Sequence, residues 1–437
     1  GDLHGVYYTF AVLLGNDVAE ACDPYAKTTG VNGRRAMVID MDSTNPDGWD
    51  ADHDPNAGMN FTDAVIYELH VRDLSIDKTS GIKNKGKYLG LIETGTKTKS
   101  GIPTGLDHIK NLGITHLHLL PIYDYGSVDE TQLDKPQFNW GYDPTNFNVP
   151  EGSYSSDPYH GEVRVKELKQ TVKGLHDHGI SVIMDVVYNH VYDAKDFCFN
   201  RLVPMYFSRI TNGVISNGSG CGNDTASERS MVRKYIVDSV CYWADEYHID
   251  GFRFDLVGLI DVETVNEIVS EVHKRHPNVV FYGEGWTLNT NLTKNVPLAT
   301  QTNSAMTPGF AYFNDTLRDS LRGSTFISEA LGYVTGATGI GEKLESCFRG
   351  LPFWCQDPKQ TINYVSCHDN NTFLDRITLA LPHRSFEDRV RMYKLGAVFY
   401  MTSQGIPFMQ AGEEMLRTKP GKKGSFDHNS YRSADRV

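Results

Sequence analysis

The sequence lacks an excess of positive charge, and this absence narrows the range of partners. It contains 42 Lys and Arg residues against 55 Asp and Glu residues, so its net charge at pH 7 is −13. A negatively charged chain repels the phosphate backbone of nucleic acids and the headgroups of anionic lipids. We therefore expect no nucleic acid and no membrane as a partner.

The sequence also lacks a long apolar run and an apolar signal segment. The uncharged stretch at 395–412 is interrupted by polar residues at 402–404 and by Pro407, whereas a membrane-spanning helix needs about 20 apolar residues. The sequence therefore predicts no transmembrane segment. Because the chain opens at Gly1 without Met or a signal core, secreted, cell-surface and cytoplasmic locations all stay open.

Cysteine is scarce, and its spacing excludes the common thiol-based sites. The seven cysteines form no CxxC pair and no zinc-finger spacing. We expect reduced structural thiols, with a disulfide between Cys198 and Cys221 as the alternative in an oxidising compartment. Aromatic residues, in contrast, make up 11% of the chain, which is enough to supply flat stacking surfaces for a sugar.

Residues 1–60 differ in pattern from the rest of the chain. Two short β-like runs at 6–14 and 36–41 are followed at 42–60 by a stretch rich in Asp, Asn, Pro and Gly. We interpret this region as the end of an N-terminal β-module, a β-sandwich remnant, followed by a linker.

An acidic run in this linker invites a calcium-loop interpretation. The run contains Asp50, Asp52 and Asp54, but Pro55 stands at the sixth position, where an EF-hand loop needs Gly. The glutamate at the twelfth position is also absent. We therefore predict a solvated linker here.

Residues 61–437 alternate short apolar runs with helical patterns. The eight strand candidates are 64–71, 115–123, 181–188, 251–257, 279–286, 310–314, 361–367 and 405–412. Apolar residues at helical spacing within 165–175 and 265–272 predict amphipathic helices between strands. Eight strands separated by helices predict an α/β fold of the (β/α)8 TIM-barrel type rather than a doubly wound sheet.

The long polar segment at about 191–226 follows the third strand candidate. It contains the run NGVISNGSGCGNDT at 212–225, which is typical of loops. We predict a short insertion on the C-terminal face of the barrel, where barrel enzymes carry their active sites.

Ionisable residues, with polar or aromatic neighbours, stand at the ends of four strand candidates. They are Asp185 and His190 with Asn189 at the third, Arg253 and Asp255 on the fourth, Glu284 with Trp286 at the fifth, and His368 and Asp369 with Asn370 at the seventh. Any one of them is explained equally well by a buried salt bridge. Four such strand ends directed at one mouth instead indicate a catalytic site.

Two carboxylates supported by a third suit the cleavage of a glycosidic bond. In a retaining enzyme one carboxylate attacks the anomeric carbon while a protonated carboxyl gives its proton to the leaving oxygen. Arg253 lies two residues before Asp255 on one strand face and favours the ionised carboxylate. Glu284 stands between glycines near Trp286, where apolar surroundings raise the pKa of an acid, and Asp369 supplies the third carboxylate.

The sequence blocks around these residues resemble those of a known family. DVVYNH at 185–190, GFRFDLVG at 251–258, YGEGW at 282–286 and VSCHDN at 365–370 resemble the four ordered signature blocks of the α-amylase superfamily, glycoside hydrolase family 13. FNWGYDP at 138–144 resembles the YNWGYDP motif of type I pullulanases and related debranching enzymes. Phe138 replaces the usual Tyr, which removes one hydroxyl and keeps the ring.

The resemblance implies a role for each matching residue. Asp255 would be the nucleophile, Glu284 the general acid and base, and Asp369 the stabiliser of the transition state. The expected contacts to the sugar at the cleavage site are Arg253, His190 and His368, with Tyr142 as an aromatic platform, Trp286 and Trp140 as walls, and Asp143, Asp185 and Asn189 as organisers of the mouth. A buried core position is an equal alternative for Trp140.

Other histidine pairs are assigned no chemistry. His116 and His118 share a strand face like the HxH pair of a metallohydrolase, but matching ligands on later strands are absent, so a packing role is predicted. His176 and His178 are predicted to lie at a solvated helix end. No cofactor is required; calcium stays open because related barrels often carry it, although no ligand set is recognisable.

The residues and the resemblance together predict a retaining glycoside hydrolase that acts on α-1,6 branch linkages in pullulan, amylopectin or limit dextrins. The expected partner is an α-glucan, bound by a monomer. The alternatives are an α-1,4-acting amylase or isoamylase-like hydrolase and a non-catalytic glucan-binding barrel. Related enzymes continue into an eighth helix and a C-terminal β-domain, so we expect one nearly complete barrel, truncated at both ends, without that domain.

Overall fold

The structure is a computed structural model that describes residues 1–292, 294–327 and 329–419. Its strands are β1 (Tyr7–Tyr8), β2 (Phe10–Leu14), β3 (Asp17–Ala21), β4 (Ala36–Met37), β5 (Ile66–Leu69), β6 (His116–Leu119), β7 (Tyr123–Tyr125), β8 (Pro144–Pro150), β9 (Ser181–Val186), β10 (Ile210–Thr211), β11 (Val214–Ile215), β12 (Gly251–Phe254), β13 (Val280–Gly283), β14 (Ala311–Phe313), β15 (Thr361–Asn363) and β16 (Ile406–Gln410).

The helices lie mainly between the later strands. They are α1 (Val71–Ser75), α2 (Gly105–Leu112), α3 (Gly161–His176), α4 (Cys198–Leu202), α5 (Ser230–Tyr247), α6 (Val262–His273), α7 (Asp315–Arg322), α8 (Gly341–Phe348), α9 (Phe373–Ala380) and α10 (Phe386–Thr402). The two predicted amphipathic helices are present as α3 and α6. In the described part of the chain, no helix has both the length and the hydrophobicity needed to cross a bilayer.

Eight parallel strands close into a barrel in the order β5, β6, β9, β12, β13, β14, β15, β16 and back to β5. Each of these strands lies within one of the eight predicted segments, so the predicted (β/α)8 barrel is confirmed. In the register of the sheet, Arg253 lies beside Asp185 on one neighbouring strand and beside Tyr282 on the other. The register therefore brings a cation next to an acid inside the barrel.

Alternating residues of the barrel strands fill its interior in layers. The apolar part of this interior is formed by Ala64, Ile66, Ile183, Tyr282, Ala311, Phe313, Ile362, Tyr364, Ile406 and Phe408. Two residues further along, the alternation puts Glu68 and Asp185 in place of Ile66 and Ile183. The barrel is thus apolar at its base and polar towards the C-terminal ends of its strands.

The segment at about 191–226 forms a small unit of its own after β9. It contains α4 and the hairpin of β10 and β11. The carboxylate of Asp224 holds this unit together by accepting bonds from the Ser216 hydroxyl at 2.6 Å and the Gly218 amide at 2.7 Å. It also accepts a bond from the Thr290 hydroxyl at 2.7 Å, which ties the unit to the loop after β13.

Residues 1–60 contain two small antiparallel sheets, β1 with β4 and β2 with β3. The seven cysteines of the chain are all free thiols, so Cys198 and Cys221 do not form the alternative disulfide.

The acidic linker contradicts two predictions, because Asp52 and His176 are both buried. The side chain of Asp52 is 2% exposed, and its Oδ2 accepts bonds from His176 Nδ1 at 2.9 Å and His248 Nδ1 at 2.8 Å. His176 Nε2 also donates to Asp250 Oδ2 at 2.9 Å. The prediction of a solvated linker is therefore wrong at Asp52, and that of a solvated helix end is wrong at His176.

Two carboxylates determine the charge of His176. Burial by itself would lower the pKa of the imidazole, but the hydrogen bonds and charges of Asp250 and Asp52 outweigh burial and raise it to about 10. His176 is therefore an imidazolium at neutral pH, and it joins the linker to the barrel strand that begins at Gly251.

Replacing His176 by Ala is expected to lower the free energy of unfolding by about 3–5 kcal/mol at pH 7, because two buried carboxylates lose their cation. Urea titration measures this difference. Since the histidine pKa is raised from 6.5 to about 10, its stabilisation is fully present below pH 6.5 and disappears as the pH rises through about 10.

The matched control is His178→Ala, two residues away. His178 makes one hydrogen bond, from Nδ1 to the Gly174 carbonyl at 2.7 Å, so its loss is expected to cost about 1 kcal/mol or less. Equal losses for the two variants would show that the His176 bridge contributes no special stability.

Candidate active site

The guanidinium of Arg253 stands at the centre of the barrel mouth and contacts three carboxylates. Its Nη1 donates to Asp185 Oδ1 at 3.0 Å and to Asp255 Oδ1 at 2.9 Å. Its Nη2 forms an ion pair with Glu284 Oε1 at 3.1 Å. The Arg253 side chain is only 2% exposed. One buried cation therefore brings together acids from three successive barrel strands.

The three acids that contact Arg253 differ in their exposure to solvent. Asp185 is fully buried, whereas the side chains of Asp255 and Glu284 are 12% and 9% exposed. Burial alone would raise the pKa of Asp185, but the charge of Arg253 and the hydrogen bond from His118 lower it overall. Asp185 is thus a permanent counter-ion, while Asp255 and Glu284 face the mouth.

Glu284 has the pKa that a general acid needs at neutral pH. Burial raises this pKa to about 7, and the negative charges of Asp255 and Asp369 add to the rise against the opposing effect of Arg253. Burial and the negative charge of Asp185 also raise the pKa of Asp255 above its usual value, although Arg253 and the amide of Asn189 limit that rise.

Asp255 is held in place by a neighbouring strand end. Asn189 Nδ2 donates to the backbone carbonyl of Asp255 and to its Oδ2, both at 2.8 Å. The next residue, Leu256, has a φ of 40°, which is uncommon for a residue with a side chain. This backbone turn directs the Leu256 amide to Glu284 Oε2 at 3.1 Å. The strained turn therefore connects the two carboxyls that face the mouth.

An aromatic wall lies opposite these acids. The rings of Tyr142 and His368 stack with centroids 4.9 Å apart and an interplanar angle of 20°. The Tyr142 hydroxyl donates to Asp185 Oδ2 at 2.7 Å, which fixes the ring beside Arg253. Trp140 packs its edge on His368 at 5.0 Å and is partly exposed, so it lies at the wall and not in the core.

His190 and Asp143 lie behind this wall. His190 Nε2 donates to the Tyr142 carbonyl at 2.8 Å, and its Nδ1 contacts Asn189 Oδ1 at 2.6 Å. Both ring nitrogens therefore already have protein partners. Asp143 Oδ1 accepts a bond from Asn139 Nδ2 at 2.6 Å, and burial raises the pKa of Asp143. These contacts organise the loop that carries Tyr142.

Asp369 and Trp286 complete the mouth. The Asp369 side chain is 43% exposed, and its Oδ1 lies 3.8 Å from His368 Nε2. Trp286 is partly exposed next to the Arg318 guanidinium, at 6.0 Å from its ring. Its backbone carbonyl lies so close to Gly258 that an added Cβ would stand 2.0 Å from the oxygen. Glycine at 258 therefore permits the close approach of the two strand-end loops.

Two buried residues of the site were not among the predicted ones. Glu68 on β5 bonds to His368, and Lys419 bonds to the carbonyls on either side of Asp369. The alternation of β5 gave a signal for Glu68, because it shares a face with the buried Ile66. His118 has the predicted buried role, since it donates to Asp185 Oδ2 at 3.1 Å.

One cluster of buried acids bears on the open question of calcium. The one group of acids in the described part of the chain with ligand-like spacing is Asp124, Glu130 and Glu151. Arg164 already occupies this group, at 3.0 Å from Glu130 Oε2 and 3.6 Å from Asp124 Oδ1. A Cβ at Gly152 would lie 2.1 Å from Glu130 Oε1, so the group is tightly packed. These residues fit an arginine and not a calcium ion.

A closed (β/α)8 barrel with an arginine and three carboxyls at the C-terminal ends of its strands defines a class of barrel protein with an acid-lined mouth. The chain belongs to the alpha-amylase family. The sequence profile described as "Alpha amylase, catalytic domain" matches residues 78–203 and 222–434, which is more than half of the chain.

Several relatives share a name. The chain is 43% identical to the pullulanase of Bacillus subtilis (strain 168), with 100% of the chain and 60% of the relative aligned. It is 32% identical to the chloroplastic pullulanase 1 of Arabidopsis thaliana, over 99% of the chain and 54% of the relative. The chain therefore spans little more than half the length of these curated relatives.

Solved structures give the same result. A pullulanase from Paenibacillus barengoltzii in complex with maltohexaose and alpha-cyclodextrin has a TM-score of 0.93 and 50% identity, over 96% of this chain and 66% of the other. A pullulanase from Anoxybacillus sp. complexed with maltotetraose has a TM-score of 0.94 and 42% identity, over 99% and 62%.

Proposed function

We propose that this chain is the catalytic barrel of a retaining glycoside hydrolase that cleaves α-1,6 branch linkages in pullulan, amylopectin or limit dextrins. The observation that carries the proposal is the pair of carboxyls on Arg253. Asp255 and Glu284 bond to one guanidinium, and Glu284 has a pKa of about 7. Two close carboxyls, one of them protonated at neutral pH, are what a retaining mechanism requires.

The proposed first step uses both carboxyls at once. Asp255 attacks the anomeric carbon and forms a bond from its carboxylate oxygen to that carbon. The glycosidic bond breaks, and its electron pair goes to the leaving oxygen, which takes the proton of Glu284. The result is a covalent glycosyl-enzyme intermediate and a free sugar chain.

The proposed second step reverses these roles. The Glu284 carboxylate removes a proton from water, and the water oxygen bonds to the anomeric carbon while Asp255 leaves. Asp369 stabilises the positive charge that develops on the sugar ring, and His368 contacts the ring's hydroxyl groups. Tyr142 supplies the platform beneath the sugar, Arg253 sets the ionisation of Asp255, and Trp286 and Trp140 form the walls.

The α-1,6 preference rests on the relatives and on one loop. Relatives along the whole chain are pullulanases, and pullulanase structures similar to this one hold maltohexaose or maltotetraose. The loop FNWGYDP at 138–144 positions Tyr142 at the mouth. We propose an α-glucan as the partner of a monomer, with no nucleic acid or membrane. Residues 1–60 are proposed to belong to a glucan-binding-like β-module next to the barrel of 61–437.

Incubation with pullulan and with linear maltodextrin tests the linkage preference. We expect maltotriose to accumulate from pullulan, because cleavage at the α-1,6 bonds releases units of three glucoses, and we expect little cleavage of the linear chain. Chromatography of the products measures both. Cleavage confined to linear chains would favour an α-1,4-acting amylase. Binding of both glucans without products would favour a non-catalytic barrel.

A further inference from the structure

The turn at 368–370 is held from two sides. It follows β15 after a short connection at 364–367. It carries His368 and Asp369, the two groups that face the sugar in the proposed mechanism. Glu68 holds it from the first barrel strand, and Lys419 holds it from the end of the described chain. Neither residue was predicted from its own sequence context to take part in the site.

Glu68 uses both of its oxygens on His368. Its Oε2 accepts the backbone N–H of His368 at 2.7 Å, and its Oε1 accepts the ring Nδ1–H at 2.7 Å. The Glu68 side chain is 2% exposed. Because both partners are donors, the position needs two acceptors, which a carboxylate supplies and an amide does not.

Lys419 brackets Asp369 along the backbone. Its Nζ donates to the carbonyl of His368, just before Asp369, and to the carbonyl of Asn370, just after it, the latter at 2.9 Å. The Lys419 amide is anchored in turn, because it donates to Asp375 Oδ2 at 2.6 Å. Lys419 is 5% exposed, so its ammonium group is buried against this turn.

The turn needs this support because of its backbone and its exposed acid. Asn370 has a φ of 65°, in the left-handed region that asparagine tolerates better than most residues, so the chain turns sharply just after Asp369. The ion pair between Asp369 Oδ1 and His368 Nε2 is long, at 3.8 Å, and the Asp369 side chain is 43% exposed. The direction of that carboxylate therefore depends on the backbone that carries it.

We propose that Glu68 and Lys419 are positioning residues that hold the 368–370 turn, so that the Asp369 carboxylate and the His368 ring face the sugar at the cleavage site. The proposal rests on the proposed function for its effect on turnover. The hold itself is a property of the turn and is measurable without a substrate.

The pKa of His368 depends on its contact with Glu68, so its titration measures whether that contact is present. Burial lowers the pKa of the ring, but the charges of Glu68 and Asp369 and the hydrogen bond to Glu68 raise it overall, to about 9. The charged and titratable groups that face the ring from the surrounding elements are Glu68, Tyr142, Asp185, Arg253, Asp369 and Lys419. Loss of Glu68 alone is therefore expected to release the proton of His368 at lower pH.

The kinetic test compares Glu68→Gln, Lys419→Met and the double variant on pullulan. Each single change is expected to lower kcat by roughly 10²-fold, with KM and maltotriose binding changed less than about threefold, because a small misplacement of a catalytic group costs that much. If both residues hold one turn, the double variant loses about as much as the worse single variant. Losses that multiply, or maltotriose binding that falls together with kcat, would overturn the proposal.

The matched control is Glu413→Gln, a change of an equally buried carboxyl at the end of the neighbouring strand. Glu413 accepts bonds from Tyr400 at 2.7 Å and Ser366 at 2.8 Å and does not contact the turn. We expect kcat within about threefold of the parent. A loss equal to that of Glu68→Gln would show that any buried carboxyl here has the same effect, which overturns the specific role.

A measurement without turnover separates the two proposals. In protein labelled with ¹³C at histidine Cε1, and with His368 assigned through His368→Gln, Glu68→Gln is expected to move the His368 titration clearly downwards from about pH 9, because burial is then opposed mainly by Asp369. An unchanged His368 titration in Glu68→Gln overturns the proposed positioning role, even if the protein cleaves pullulan. The expected shift supports the positioning role even if the parent protein cleaves no glucan. A lack of glucan cleavage would overturn only the proposed function. If Glu68→Gln does not fold, Lys419→Met carries the kinetic test.

Discussion

Replacing Asp255 by Asn is expected to reduce the turnover of pullulan by roughly 10⁴- to 10⁶-fold, the scale seen when a covalent nucleophile is removed. The amide has nearly the same shape as the carboxylate, and its single oxygen keeps one of the two present bonds, from Arg253 at 2.9 Å or from Asn189 at 2.8 Å. It cannot form the ester to the anomeric carbon, so the first step stops. Steady-state release of reducing ends measures the loss.

The same variant should keep its affinity for glucans. Maltotriose binding, measured by calorimetry, is expected to stay within about threefold of the parent, because sugar contacts from the other side chains remain. Asp261→Asn is the control, since Asp261 caps α6 through the Thr264 amide at 2.9 Å and asparagine caps a helix equally well. Turnover by Asp255→Asn at the parental rate would remove Asp255 from the mechanism.

The barrel could be predicted because its signals are local. Each barrel strand lies in a short apolar run bounded by turn residues, and α3 and α6 repeat their apolar residues at helical spacing. The site could be predicted in outline for the same reason, since Asp185, Arg253, Glu284 and Asp369 interrupt or follow apolar runs. Closure of the barrel is then enough to bring these strand ends together at one mouth, so their contacts follow once the fold is predicted.

Contacts between distant segments could not be predicted in this way. Glu68 bonds to a residue 300 positions later, and Asp52 bonds to His176 across 124 positions. Nothing near Asp52 in the sequence shows that a histidine will cover it, so a charged residue in a polar stretch indicates solvent. The pairing follows only once the linker packs against the base of the barrel.

Arg253 explains how two carboxyls in one mouth acquire different roles. It bonds to Asp185 and Asp255 through Nη1 and to Glu284 through Nη2. Asp255 receives further support from the Asn189 amide, whereas Glu284 receives one backbone N–H, from Leu256. The bonds to Asp255 are shorter, at 2.9 and 2.8 Å against 3.1 Å for both bonds to Glu284, and the charges of Asp255 and Asp369 help to raise the pKa of Glu284 to about 7. Since short hydrogen bonds to a carboxylate favour its charged form, we propose Asp255 as the anion and Glu284 as the acid.

Replacing Glu284 by Gln is therefore expected to lower kcat on pullulan by roughly 10²- to 10⁴-fold, the range for loss of a general acid. The loss should depend on the leaving group. In an aryl maltoside with an acidic phenol, the phenolate leaves without taking up a proton. With this substrate, the rate of formation of the intermediate should therefore fall less than tenfold in single-turnover measurements. The Asp255→Asn variant is the contrast, because it cannot form the intermediate from either substrate.

The pH profile gives the second test of Glu284. The acid must be protonated in the free enzyme, and its pKa is raised to about 7, so kcat/KM of the parent should fall as the pH rises through about 7. The amide does not titrate, so this alkaline limb should be absent from the Glu284→Gln profile. If the variant kept the limb with its midpoint unchanged, another group would be the acid, and the assignment of the proton to Glu284 would have to be abandoned.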